Sequence, residues 1–210
     1  MNVVIVGGTK GMGRAIARRM AERGDRVLLL GRDEEELAKS AADLVARGGA
    51  KTADASDFAH CDLADVDGFD AALDAAWTTL GKVDCVVVTA AMFATQDALE
   101  ADVDLATRLV TVNFANTVSF CERVRKRLLG QGGGTLCVFS SVAGDRGRKP
   151  VAIYGASKAA LNRLTNGLAV ELDGSGIRVN TVQPRAAVLS PGAEVLVGAD
   201  RDYRTMVRAD

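Results

Sequence analysis

Along the chain, short runs of continuous apolar residues alternate with longer stretches in which apolar side chains recur every three to four positions, a rhythm that predicts strand and helix in turn. Residues 3–6 are the first run, breaking into Gly7-Gly8-Thr9-Lys10-Gly11-Met12-Gly13, after which Ala15, Ile16, Ala17 and Met20 fall at helical spacing up to Gly24. Residues 27–30 predict a second buried strand, and Asp33 with Glu36 reads as a capping box for a helix over 34–47. The small, polar residues 48–59 predict a loop or weak approach to His60-Cys61-Asp62-Leu63. A helix is expected from near Asp65, with Phe69, Leu73, Ala76 and Leu80 as its stripe and Gly81 as its stop. Residues 83–89 are nearly continuous in β-branched side chains, as a central parallel strand requires. Residues 102–131 carry one long helical pattern with Asn113 in its middle, ended by glycines at 132–134. Strands over 135–139 and 177–182, the latter closed by Pro184, bracket a loop over 142–151 and a helix over 152–172.

This alternation predicts an α/β fold, a doubly wound parallel sheet of the Rossmann type with helices on both faces, in a single domain over 1–210. Such sheets bind ligands at the carboxyl ends of their strands, where Gly7, Arg32, Asp62, Ser141 and Gln183 all fall. Composition narrows the class further. With 48% hydrophobic and 25% charged residues and a net charge of -1, the chain has enough core for one domain and no field to draw nucleic acid or an anionic membrane. Cys61, Cys85, Cys121 and Cys137 are scattered through mostly apolar runs, which predicts reduced, buried thiols and a cytoplasmic protein. With His60 as the single histidine, no metal is expected. The longest apolar run, 85–94, is too short to span a bilayer, and the first residues lack the basic start of a signal peptide.

Tyr154 and Lys158 stand at i and i+4, a spacing that puts both on one helix face. A free phenol titrates near pH ~10, and a cation a few ångströms away lowers that by about one to three units, so the pair predicts an acid/base usable near neutrality. The alternative is a half-buried tyrosine beside a solvated lysine. The glycine turn either cradles phosphates, with backbone N–H groups and the helix dipole facing them, or is an ordinary βα turn. Arg32, where NAD-binding sites place a carboxylate for the ribose, and Lys10 together favour a 2′-phosphate, hence NADP(H) over NAD(H); otherwise Arg32 is a surface charge. Asp62 accepts from an adenine amino group or caps the next helix. Asn113 bonds a neighbouring backbone or holds something functional.

Taken together, Gly7-x-x-x-Gly11-x-Gly13, Asn113, Ser141 and Tyr154-x-x-x-Lys158 resemble the short-chain dehydrogenase/reductase family, in order and spacing, from Met1 to about Pro184. The resemblance implies a homodimeric or homotetrameric oxidoreductase that interconverts a small-molecule secondary alcohol and a ketone by hydride transfer. It makes Tyr154 the acid/base, Lys158 the group that lowers its pKa and binds the nicotinamide ribose, Ser141 the donor to the carbonyl oxygen, and Asn113 the anchor of a proton-relaying water. The implied cofactor-binding set is Gly7, Thr9, Lys10, Gly11, Met12, Gly13, Arg32, Asp62, Leu63, Ala90, Tyr154, Lys158 and Pro184. Three departures from the family pattern stand out. Val88-Thr89-Ala90-Ala91 replaces Asn-Asn-Ala-Gly and loses its amides, Arg185 replaces the glycine after Pro184, and 185–210 is a shortened lid region. Within the family, residues 139–148 and Val112-Asn113-Phe114 are similar to the decaprenylphosphoryl keto-sugar reductases; Arg146, Arg148 and Lys149 then hold a substrate phosphate or form a solvated loop. The runner-up from another class is a catalytically weak NADP(H)-binding regulatory or scaffold protein of the same fold.

Overall fold

The apolar run at the start of the chain becomes the middle of the sheet. In the computed structural model, which describes residues 1–48 and 56–184, Val3, Val4 and Ile5 of β1 (Asn2–Val6) are wholly enclosed. β1 pairs in parallel with β2 (Arg26–Gly31) on one side and β4 (Cys85–Val88) on the other. β3 (Ser56–His60), β5 (Gly134–Phe139) and β6 (Ile177–Val182) complete a six-stranded, all-parallel sheet in the order β3-β2-β1-β4-β5-β6. The chain winds outward from β1 to β3, returns to β4 and winds outward the other way, so the order reverses between β1 and β4 and opens a crevice at their carboxyl ends.

Alternate strand positions face opposite helix layers. Val3, Ile5, Val27 and Leu29 pack under α1 (Gly11–Arg23) and α2 (Glu34–Gly48), against Ala17, Ala21, Leu37 and Leu44. Val4, Val6, Leu28 and Leu30 pack on the other side in a core that takes in Phe69 of α3 (Phe69–Leu80), Phe120 and residues of the helix over 152–171.

Several boundaries differ from the hydrophobic pattern, each for a local reason. The weak approach after residue 48 ends in a true strand from Ser56. The helix expected near Asp65 starts only at Phe69, because Asp62 and Asp65 accept from the Ala64 and Asp67 N–H groups at 2.9 and 3.2 Å and hold the backbone in turns. Asp33 does cap α2, accepting from Glu36 N–H at 3.1 Å, but the Glu36 carboxylate turns to Arg14 at 3.3 Å, so only half the capping box forms. The pattern over 102–131 resolves into α5 (Val103–Val110), a π-helical turn (Thr111–Asn116) and α6 (Thr117–Gly130). An unanticipated short helix, α4 (Gln96–Ala101), precedes them, its N-terminus capped by the Thr95 hydroxyl. α7 spans Ala152–Glu171.

Cys61, Cys85 and Cys121 are buried free thiols, pushed up to about 12 by burial, and Cys137 is a partly buried one. Among the described residues no helix is long and apolar enough to cross a membrane, and no cluster of metal-ligating side chains occurs.

Candidate active site

The site begins where β1 ends. Gly7 takes φ +89°, a conformation that side chains resist, and turns the chain back toward α1. A Cβ on Gly13 would run into the Gly7 carbonyl and the Thr89 hydroxyl, so helix and turn touch only because nothing projects there. Lys10, the residue before α1, offers no side-chain cap, and the first turn carries no acid. The leading N–H groups of a thirteen-residue helix therefore face the crevice with the positive end of the dipole. This cradle fits the pyrophosphate of a dinucleotide.

The sequence suggested that this chain lacks the amide after β4, and the structure supplies a substitute. The Thr89 hydroxyl donates to the Val6 carbonyl at 2.8 Å and lies 3.2 Å from that of Gly7, while Ala90 N–H bonds Val6 at 3.1 Å, so the end of β4 is tied to the glycine turn. Thr89 was absent from the expected site, and its position straight after the fourth apolar run was the available signal. Thr9 and Met12 are half-buried in the turn, and Lys10 and Arg32 are exposed at the strand ends. Neither cation forms an ion pair among the described residues, which leaves both free for an anionic group. Asp62 is half-buried with one oxygen committed to Ala64, a turn and not a helix cap. Leu63 belongs to the core at 4% exposure, its carbonyl held by Asn116 at 2.8 Å, so its side chain is not open to a ligand.

On the other side of the crevice stand the chemical groups. Ser141 lies two residues past β5, and its hydroxyl accepts from Ala143 N–H at 3.2 Å at the start of a 3₁₀ turn, Val142–Gly144. Tyr154 and Lys158 share a face of α7, as their spacing implied. Lys158 is 2% exposed, and its ammonium donates to the Phe139 carbonyl at 3.1 Å, 5.7 Å from the centroid of the Tyr154 ring. The expected acidification of the phenol is reversed here. Burial pushes the Tyr154 hydroxyl above its ordinary value, with a Ser141 hydrogen bond pulling the other way, and burial brings Lys158 down to about 8. The cause is that the i, i+4 spacing brings the amine over the ring while dry surroundings penalise either charge.

The Asn113 amide is committed to backbone: its oxygen accepts from Met92 N–H at 2.7 Å and its nitrogen donates to the Met92 carbonyl at 2.9 Å. That nitrogen also lies 3.4 Å from the Ser157 hydroxyl, which itself donates to the Tyr154 carbonyl at 2.7 Å. Other residues beyond the expected set hold the phenol in place. Phe93 packs edge-on against the Tyr154 ring, centroids 4.9 Å apart, and the Gln96 side chain accepts from Ile153 N–H at 3.2 Å at the start of α7. Pro184 is half-buried beyond β6, and a cavity of about 370 Å³ lies between Val142, Asp145, Arg146 and Gln183. Arg185 and the lid region, 185–210, lie outside the described residues.

A crevice with a phosphate cradle on one side, and two hydroxyls beside a lysine of near-neutral pKa on the other, can bind a dinucleotide and move a proton to or from an oxygen. Known proteins point the same way. The family model for short chain dehydrogenase matches residues 1–194. The chain is 33% identical over 183 residues to a 3beta-hydroxysteroid dehydrogenase of Mediterraneibacter gnavus, covering 87% of itself and 64% of that protein. It is 30% identical over 199 residues to a D-threitol dehydrogenase of Mycolicibacterium smegmatis, covering 95% of itself and 75% of that protein. An actinorhodin polyketide ketoreductase solved with NADPH superimposes with a TM-score of 0.84 at 30% identity, over 93% of this chain and 74% of that one.

Proposed function

The chain belongs to the short-chain dehydrogenase family, and on that premise we propose that it is an NADP(H)-dependent oxidoreductase interconverting a small-molecule secondary alcohol and a ketone, with Tyr154 as acid/base. One observation carries the proposal: a lysine 2% exposed, without an acidic partner among the described residues, is buried beside a tyrosine at the carboxyl ends of the strands. Burying an ammonium that way is unfavourable, and a group shifted toward neutrality in a cleft is the mark of a site that handles protons.

When bound, the nicotinamide supplies or takes the hydride. The rest falls to this chain's own side chains. Ser141 and Tyr154 present two hydroxyl donors to the carbonyl oxygen, where negative charge builds as the carbon is reduced. The raised phenol stays protonated at neutral pH, which keeps its donor form populated while making it the weaker acid. Lys158, at about 8, is a group that exchanges a proton near neutrality; it would hold the nicotinamide ribose and serve as the proton source from which the phenol is refilled. Asn113 pins the π turn to Met92, and a proton-relaying water would be held beside that turn.

Lys10 just before α1 and Arg32 just past β2, both exposed, support the choice of NADP(H), and Arg146, Arg148 and Lys149 support an anionic group on the substrate. Exposed Val103, Val110 and Leu129 of α5 and α6, with Val170 of α7, support assembly into a homodimer or homotetramer across these helices. The buried free thiols agree with a cytoplasmic setting.

Fluorescence titration with NADPH and NADH, followed by cofactor absorbance on a ketone panel, tests the proposal. NADPH is expected to bind more tightly, and Arg32→Ala to weaken it by about tenfold while leaving NADH nearly unchanged, as for loss of a charge-assisted phosphate contact. A preference for NADH overturns the cofactor assignment. NADPH binding with no ketone reduced, and Tyr154→Phe without effect, favours the regulatory or scaffold alternative.

A further inference from the structure

Asn162 is 9% exposed, and its side-chain oxygen has no hydrogen-bond partner among the described residues. An orphaned buried acceptor is disfavoured and calls for an explanation. The explanation lies at the other end of the same amide, whose nitrogen donates to Asp145 Oδ1 at 3.0 Å. Turning the amide over would satisfy the oxygen's surroundings no better, since it would set two acceptors against each other. The same Asp145 oxygen accepts from Gln183 Nε2 at 3.1 Å. A single carboxylate oxygen thus joins the turn after β5, the helix α7 and the end of β6.

What this junction touches is the site. Asn162 follows Tyr154 and Lys158 at successive i+4 steps on α7. Asp145 ends the 3₁₀ turn that begins at Ser141, where Gly144 N–H bonds the Ser141 carbonyl at 2.9 Å and Asp145 N–H bonds that of Val142 at 3.1 Å. Those two bonds make the turn a rigid arm from Asp145 back to Ser141. The arm lies hard against the helix: a Cβ on Gly144 would meet the Lys158 carbonyl carbon and the Ala159 nitrogen at 2.8 Å. Gln183 extends the junction to the residue before Pro184.

We propose that Asp145 and Asn162 are positioning residues: their bond pins the arm that carries Ser141 to the helix that carries Tyr154 and Lys158, and so sets the separation of the two hydroxyls. The proposal rests on the ketone-reducing role assigned above for its kinetic consequence, not for the pinning itself. Misplacing a reacting group by about 1 Å costs on the order of a hundredfold in rate.

The full chain serves for the test, with Asp145→Ala, Asn162→Ala, the double variant, and Asp145→Asn, which keeps an oxygen for both amides. Hydrogen exchange of the Ala143 and Gly144 amides reads the pinning, and kcat for ketone reduction beside NADPH affinity reads its effect. Asp145→Ala and Asn162→Ala are each expected to speed exchange at both amides and to lower kcat about tenfold or more, with NADPH affinity unchanged. The double variant should be no worse than either alone. Asp145→Asn should restore both readouts, which lost folding stability would not predict. Unchanged exchange overturns the proposal, as does faster exchange with full kcat, or a loss in Asp145→Asn equal to that in Asp145→Ala. If the wild-type chain reduces no ketone while exchange responds as described, the redox assignment falls and the pinning stands.

Discussion

Under α1 and α2 the sheet buries mainly hydrocarbon, Val3, Ile5, Val27 and Leu29 against Ala17, Ala21, Leu37 and Leu44, with Ser40 as the enclosed hydroxyl of α2, and pairs charges at the rim as Arg14–Glu36, Arg18–Asp43 and Arg47–Glu22. Under the π turn and α7 the interior also encloses Asn113, Ser157, Lys158, Asn162 and Thr165, none more than 9% exposed. Enclosing a polar group stabilises nothing unless its partners are in place. For Ser157, Lys158 and Asn162 the partners lie on the segments that carry Ser141 and Tyr154, while Thr165 bonds the Leu161 and Asn162 carbonyls. Asn113 holds the strand-end loop at Met92, Ser157 holds the Tyr154 carbonyl, and Lys158 holds the Phe139 carbonyl. One face therefore serves the stability of the fold and the other sacrifices some of it to geometry, the trade expected of a site built into a core.

The sharpest way to break that contrast is Tyr154→Phe. Removing the phenolic hydroxyl should lower ketone reduction by about 10²–10⁴-fold, the usual contribution of a positioned acid/base, yet change stability by no more than about 1 kcal/mol. Urea denaturation beside steady-state rates decides it. A variant that loses several kcal/mol while keeping its rate would make the hydroxyl a structural group and erase the difference between the faces.

Both faces were legible in the sequence to unequal depth. The strands stood out because a parallel strand covered on both sides is a continuous apolar run, as at Val3, Val4 and Ile5 or Val86, Val87 and Val88. Their carboxyl ends followed, and with them the placing of Gly7, Arg32, Asp62, Ser141 and Gln183 just past those ends. Local carboxylates were misread, since Asp62 and Asp65 hold turns where a helix start was expected. Contacts between distant positions left no local signal: Asn113 with Met92, and Asp145 with Asn162 and Gln183. The direction of the Tyr154 shift was hidden for a related reason. Spacing reports that a lysine is near, but whether water is near decides which charge survives.

Lys158→Met presses on the same face and is read through stability, where its effect has the opposite sign. The amine's pKa is brought down to about 8 in the fold against 10.5 for an ordinary lysine, so between those values the unfolded chain binds the extra proton and wild-type stability rises with pH. Below pH 8 the folded state carries the full disadvantage, a shift of that size being worth about 3 kcal/mol. Replacing the amine removes it but leaves the Phe139 carbonyl without its donor, which returns about 1 kcal/mol. Lys158→Met should thus be inactive and more stable than wild type by about 1–2 kcal/mol at pH 7, the gap closing toward pH 10. A variant less stable than wild type at pH 7 would show that the buried ammonium supports the fold.

The smallest effect is expected on the other face, at Asp43. Arg47 and Arg18 hydrogen-bond its carboxylate and hold it below the ordinary aspartate range against a desolvation that pulls upward, with Arg18 Nε at 2.7 Å. A carboxylate lowered in the fold stabilises above its ordinary pKa, near pH ~4, and that contribution is lost as pH falls further. About a third of the Asp43 side chain is exposed, 32%, and water screens both pairs, so Asp43→Asn should lower stability by less than about 1 kcal/mol and leave kcat untouched. The loss should shrink in 1 M salt, where screening reaches about 3 Å. If it instead exceeded the change caused by Lys158→Met and persisted in salt, the rim charges under α1 and α2 would rank with the buried polar groups under α7, and the two faces would no longer differ in kind.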